Sequence, residues 1–425
     1  MSKFLSVTIF SALLTLLRIG SGFIVAKAIA VHTGPAGMAV LGQLQNLITA
    51  LTGLVAAPAG NGLVRYTAEH NASGFEACAP WWRATVRWLQ LLLAVAIPTL
   101  IFGSGRIAAW LLGNEQYGWL IVATGLALPL SALNTLVGSV TNGQQQYRRF
   151  ILLSGISVVI ATALMLALVI NWQLEGALLA AAVYSALSGS VMLFGAMRQP
   201  WFRLRYWFGS VDKQHLRGVG AYVAMAMASA LCVPMSLLML RKVLVASVGW
   251  TEAGHWQAVY KISEVYLGVI TMALSTYYLP RLSSLSGFEA IRKETWSVVR
   301  LVMPIVSILA LGVYLFRDVA ITVLFTDQFR PARDLFALQL LGDVVKILSW
   351  LFAFPMLSRG AASWFIGTEI VFALTLPGMA WLFVGSFGVQ GANLAYLANY
   401  ILYLAFVFKV FPYFAGDSRV AKKLK

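Results

Sequence analysis

The sequence predicts an all-α integral membrane protein, with about twelve transmembrane helices in two six-helix lobes related as a parallel internal repeat around a central cavity. Composition, the apolar runs and an internal duplication carry that expectation. Of 425 residues, 60% are hydrophobic and only 11% charged. Soluble domains are about half apolar and about a quarter charged, so a water-soluble enzyme is excluded. A membrane helix takes about 20 mostly apolar residues, and nearly the whole chain divides into such stretches.

Taken in order, the apolar runs place helices over 4–31, 37–59, 83–104, 117–141, 150–171, 174–197, 218–247, 252–280, 295–316, 334–358, 361–384 and 388–412. The first run is longer than the apolar core of a signal peptide and has no clear small-residue cleavage site. It is expected to enter the membrane and stay. Cys78 and Cys232 form neither a CxxC pair nor part of a metal cluster, so no disulfide framework or metal site is implied.

The charge of +16, from 31 basic and 15 acidic residues, could mean nucleic acid, a membrane surface or an anionic substrate. Its placement decides. With the N-terminus inside, 21 Lys and Arg fall on the cytoplasmic side, in the connections or the helix ends beside them, among them Lys3, Arg65, Arg83, Arg148, Arg203, Arg292 and the tail Arg419–Lys425; four fall outside, Arg106, Arg317, Arg330 and Arg333. Basic residues concentrate on the cytoplasmic side, so both termini are expected there. Most of the excess charge is therefore topological, and no nucleic-acid partner is expected. The basic, aromatic connection 198–217 reads as an interfacial linker between the halves, anchored by Trp and Arg.

The halves, 1–205 and 206–425, show weak internal similarity. EGALLA at 175–180 aligns with QGANLA at 390–395, LLGNEQY at 111–117 with VLFTDQF at 323–329, and AG at 36–37 with AG at 253–254, all at offsets of 212 to 217. Six spans per half give both halves one orientation, and such repeats place binding sites at the repeat interface near mid-depth.

Six basic residues then remain within helices, Arg18, Lys27, Arg241, Lys242, Lys261 and Lys346, with three acids, Glu264, Asp343 and Glu369. At roughly 2.5–3.5 kcal/mol for each central charge, nine would cost on the order of 25 kcal/mol if all faced lipid. Most are therefore expected to face a cavity, where a sum of +3 suits an anion such as a diphosphate. Arg18 lies too deep to snorkel easily, whereas Lys27, Arg241 and Lys242 could reach the outer interface along their stems. Lys261 and Glu264, like Asp343 and Lys346, share a helix face at i,i+3. Each pair reads as self-neutralising or as a ligand contact beside an ion or proton site. Glu369 has no obvious helical partner and reads as a coupling residue. Enzyme chemistry lacks support: the four histidines have no ligand spacing, and there is no Walker loop, DxD, HExxH or GxSxG. No cofactor or metal is expected.

HTGPAGMAVLGQLQN at 32–46, AGHWQAVYKISEVYLGVIT at 253–271, YYLPRLSSL at 277–285 and ARDLFALQLLGDVVK at 332–346 resemble the Wzx-type flippases of O-antigen and enterobacterial common antigen. These belong to the multidrug/oligosaccharidyl-lipid/polysaccharide exporter superfamily. The resemblance implies movement of an undecaprenyl-diphosphate-linked oligosaccharide from the cytoplasmic to the periplasmic leaflet of the bacterial inner membrane, by alternating access. It implies Arg241, Lys242, Lys261, Asp343 and Lys346 as cavity residues, and a glycan polymerase and chain-length regulator as pathway partners. Twelve helices rather than fourteen argue against the lipid II flippases. A cation-coupled drug antiporter and a membrane-embedded glycan polymerase or ligase remain the alternatives.

Overall fold

A computed structural model describes residues 3–285 and 287–415; the basic tail Arg419–Lys425 lies outside the described residues. Every regular element among them is helical: α1 Lys3–Ala56, α2 Asn61–His70, α3 Phe75–Phe102, α4 Ser104–Leu112, α5 Gly118–Gly143, α6 Tyr147–Met197, α7 Leu204–Trp207, α8 Lys213–Ala273, α9 Leu279–Ser284, α10 Phe288–Leu315, α11 Arg317–Leu324, α12 Phe336–Ser358, α13 Ala362–Phe387 and α14 Gln390–Ala415. Nine stretches are long and apolar enough to cross a membrane. Three of them bend sharply: α1 at Gly34, α6 at Gln173 and α8 at Gly249. Each resulting piece is still long enough to span, so the described residues provide twelve spans, as expected. α8 begins at Lys213, five residues before the expected start. Beyond α8 a π-helical turn, Leu274–Tyr278, joins it to α9.

The turns repeat. Gly34 and Gly249 have φ of 62° and 85°, Gly74 and Gly287 92° and 86°, Gln145 and Gly360 58° and 64°, Gln173 and Gly388 47° and 57°. The members of each pair lie 213 to 215 residues apart, the spacing of the sequence duplication. Positive φ is sterically costly for any residue with a Cβ. That explains six glycines among the eight, and it makes Gln173 (φ 47°, ψ −121°) an outlier.

By contacts the chain falls into two compact units, Met1–Thr33 with Val40–Met235 and Gly34–Ala39 with Ser236–Lys425. Within the first, α5 packs on α6. A Cβ on Gly189 would sit 1.9 Å from the Leu130 carbonyl oxygen, so that contact requires glycine. In the basic aromatic connection Arg203, Leu204, Arg205 and Phe208 are exposed, but its tryptophans are not the exposed anchors that the sequence suggested. Trp201 and Trp207 are buried, Trp207 stacks on Trp82 at 4.8 Å, and Arg83 Nη2 donates to the Arg205 carbonyl at 2.7 Å. Ring pairs of this kind add attraction beyond the apolar area they bury.

Within the second unit α12 packs on α10 and α14, and α13 on α14. Its core runs from Leu267 and Tyr278 through Ile347, Leu351 and Phe352 to Val407 and Phe411. The Tyr278 hydroxyl donates to the Leu351 carbonyl at 3.0 Å and contacts Thr295 Oγ1 at 2.9 Å, which ties the end of the π turn to α10 and α12.

Candidate functional site

In the second unit the titratable residues gather where α8, α12 and α14 meet. On α12, Gln339, Asp343, Lys346 and Trp350 follow at i, i+4, i+7 and i+11 and so share one face. Asp343 is fully buried. Its Oδ2 accepts from the Tyr266 hydroxyl at 2.7 Å, and its Oδ1 accepts from the Tyr396 hydroxyl at 2.9 Å and from Gln339 Nε2 at 3.2 Å. Tyr396 reaches it because α12 carries glycine at 342, where a Cβ would lie 2.5 Å from the tyrosine Cδ1.

Lys346 is held differently. Among the described residues no ion pair within 4.0 Å joins it to Asp343, despite their i,i+3 spacing. Its Nζ instead lies over three rings, Trp350 at 4.9 Å, Tyr400 at 5.4 Å and Tyr396 at 5.6 Å. The charges of Asp343, Glu264 and Glu369 act on it through space. The ring faces supply cation–π attraction but accept none of the ammonium's conventional hydrogen bonds. Beside it lies a cavity of about 220 Å³ lined by Tyr260, Ser263, Glu264, Thr271, Lys346, Trp350 and Tyr396, with Leu267 and Gly268.

The remaining predicted residues separate. Lys261 Nζ and Glu264 Oε2 do form the expected i,i+3 pair at 2.7 Å, with Glu264 54% exposed, so the carboxylate faces the cavity with its charge largely matched. Arg241 is 1% exposed and does not snorkel: its guanidinium donates to Gln257 Oε1 and lies over the Trp256 ring at 5.6 Å. It is enclosed between the two pieces of α8 and is not among the residues lining the cavity. Lys242 and Glu369 are half-buried.

The first unit has a second polar cavity, of about 380 Å³, within α1, α5 and α6. Arg18 lines it with Asn134, Asn142, Ser139, Ser154 and Tyr184, and of the described residues lining it Arg18 is the one with a formal charge. Lys27 is half-buried farther along α1 and does not line it.

Comparison with known proteins places this arrangement. Residues 80–334 match the family described as "Polysaccharide biosynthesis protein". The chain is 30% identical over 411 residues to the "Lipid III flippase" of Escherichia coli (strain K12), a match covering 95% of this chain and 97% of that relative. The Lipid III flippase of Shigella flexneri matches with the same identity and coverage. This chain belongs to that family. The family indicated by the four matching stretches is therefore the one found. Among solved structures, an inward-facing multidrug resistance transporter of the MATE family and the MOP superfamily superposes with TM-score 0.76 at 12% identity, covering 94% of this chain and 98% of the other. "Lipid II flippase MurJ, inward closed conformation" superposes with TM-score 0.71 at 13% identity, covering 95% and 87%. At such identities the likeness shows the fold, and it is the exporter fold expected from the sequence.

Counting charges found the cations and acids of this family member but missed their neutral partners. Tyr266, Tyr396, Tyr400, Trp350 and Gln339 make the second unit's site, and Asn134, Asn142 and the serines make the first unit's. Spacing held a signal for both. Tyr396, Tyr400 and Tyr403 follow at i, i+4 and i+7 on α14, and Asn134, Gly138 and Asn142 at i, i+4 and i+8 on α5, a polar or aromatic stripe on an otherwise apolar helix.

Proposed function

We propose that this protein is a flippase that carries an undecaprenyl-diphosphate-linked oligosaccharide from the cytoplasmic to the periplasmic leaflet of the bacterial inner membrane. The Arg18 cavity carries the reading: a fixed cation stands among amides and hydroxyls, with no carboxylate in the lining to neutralise it. Guanidinium groups bind phosphate oxygens through paired, charge-assisted hydrogen bonds, and the surrounding neutral groups can satisfy the remaining oxygens. The same field repels an organic cation, which disfavours the drug-antiporter reading. Full-length similarity to two Lipid III flippases supports transport rather than glycan polymerisation or ligation.

The halves 1–205 and 206–425 serve as the lobes of an alternating-access carrier, with both termini cytoplasmic. Arg18 is the principal contact of the diphosphate, and Lys346 contacts the substrate from the second unit's cavity; Lys27, Lys242 and Lys261 add positive field, and Arg241 supports α8. Glu264, Asp343 and Glu369 are the candidates for ion or proton coupling. The glycan polymerase and chain-length regulator of the pathway act on the exported product.

Deleting the gene tests the reading. Build-up of the lipid-linked oligosaccharide in the cytoplasmic leaflet is expected. Normal translocation with short or unattached glycan would assign an enzyme instead, and drug sensitivity with normal surface glycan would assign the antiporter.

A further inference from the structure

Two features of the second unit's cavity are unexplained by phosphate binding. Its walls are aromatic: Tyr260, Trp350 and Tyr396 line it with Leu267 and the bare backbone of Gly268. Its lysine has unspent donors, because Lys346 Nζ is surrounded by ring faces and hydrogen-bonds to no described residue. The one carboxylate in the lining, Glu264, is paired with Lys261 at 2.7 Å but still has acceptor capacity. A diphosphate gains little from flat aromatic walls and is repelled by Glu264. A pyranose ring matches both features, since its C–H faces are apolar and its rim carries hydroxyls that donate and accept.

From these observations we propose that the cavity among α8, α12 and α14 is a saccharide subsite that takes one sugar ring of the transported glycan. The ring stacks on Trp350, Lys346 donates to its oxygens, and Glu264 with Ser263 or Thr271 accepts from its hydroxyls. Asp343 does not touch the sugar. Fully buried and held by Tyr266, Tyr396 and Gln339, it positions the Tyr396 wall of the cavity. Small-molecule sites are typically largely apolar with a few placed polar groups, and this lining has that composition. The volume, about 220 Å³, suits a single ring. The proposal rests on the flippase reading and adds to it the place where the glycan is felt.

The test uses full-length protein in lipid nanodiscs and two ligands: undecaprenyl diphosphate, and the undecaprenyl-diphosphate oligosaccharide extracted from cells lacking the gene. Trp350→Leu and Lys346→Met are each expected to weaken binding of the glycosylated lipid about tenfold, the scale of one lost stacking or charged hydrogen-bond contact, and to leave bare undecaprenyl diphosphate within about twofold. Trp350→Tyr, which keeps a ring, should restore most of the glycan-dependent affinity. Equal losses on both ligands, or no loss on the glycosylated one, would overturn the subsite while leaving the flippase reading intact. If the wild-type protein binds neither lipid better than an ordinary phospholipid, the flippase reading fails and the subsite with it. Thermal unfolding of each variant separates a collapsed helix packing from a lost contact.

Discussion

Tyr396 donates its hydroxyl to Asp343 across 2.9 Å, and that bond exists because Gly342, the residue before the acid, lets the tyrosine ring rest on the α12 backbone. Sequence neighbours on one helix thus supply the acceptor and the space for its donor. Gly342→Ala is expected to push the ring away and unfold at lower temperature than Tyr396→Phe. The phenylalanine variant keeps the packing and loses one hydrogen bond to a buried carboxylate, about 1–3 kcal/mol. Thermal unfolding in detergent ranks the two; a Gly342→Ala protein as stable as Tyr396→Phe contradicts the account.

Arg18 and Arg241 are both intramembrane arginines, and their variants should fail in different ways. Arg18 is exposed and lines a cavity, so Arg18→Ala is expected to abolish glycan export with little change in melting temperature. Arg241 is buried against Gln257 and Trp256. Removing it leaves the Gln257 amide oxygen without that donor and opens a void, a cost on the order of 3 kcal/mol. Arg241→Ala should therefore lose folded protein first, and export only in proportion. Export assays normalised to the amount of folded protein read the difference.

Gln173 stands where the second half of the chain has Gly388, with φ of 47° against 57°. Side chains pay about 1–3 kcal/mol in such conformations. Gln173→Gly should raise the unfolding temperature, and Gly388→Ala should lower it. A fall on Gln173→Gly would mean that its side chain holds the turn rather than suffers it.

Orientation can be read chemically. With Cys78 and Cys232 replaced, single cysteines at Arg106 and Arg330 should react with an impermeant maleimide applied to the periplasmic face, while one at Arg292 should react only after permeabilisation. The reverse pattern would invert the topology inferred from the 21-to-4 distribution of basic residues.

Hydropathy made the twelve spans legible because burying apolar length in lipid requires nothing of a partner. Their bends were not legible, since Gly34 and Gly249 look like many of the 36 glycines until their dihedrals are known. The charges of the candidate site were equally plain, but the disposition of Asp343 and Lys346 was not. Helical spacing predicts a pair. The fold instead offers the acid three neutral donors and the lysine three ring faces, all but Gln339 and Trp350 from other helix segments. Arg241 misled for the same reason: whether a long cation snorkels or packs depends on Trp256 and Gln257, which the bend at Gly249 folds back toward it.

The turns that recur at a spacing of about 215 residues have a consequence for the interior. Stepping back 215 positions from Lys346, Asp343, Glu369 and Glu264 reaches Ser131, Leu128, Ser154 and Thr49, and stepping forward from Arg18 reaches Val233. One set of folding instructions is used twice, while the chemistry written on it differs. The first unit's cavity is hydroxyl-rich and carries the guanidinium of Arg18, and the second unit's is aromatic and carries both Lys346 and Glu264. A chain built from two copies of the first half would keep every corner and lose every intramembrane acid. It would turn at the same places, with a single kind of cavity where the natural molecule has two.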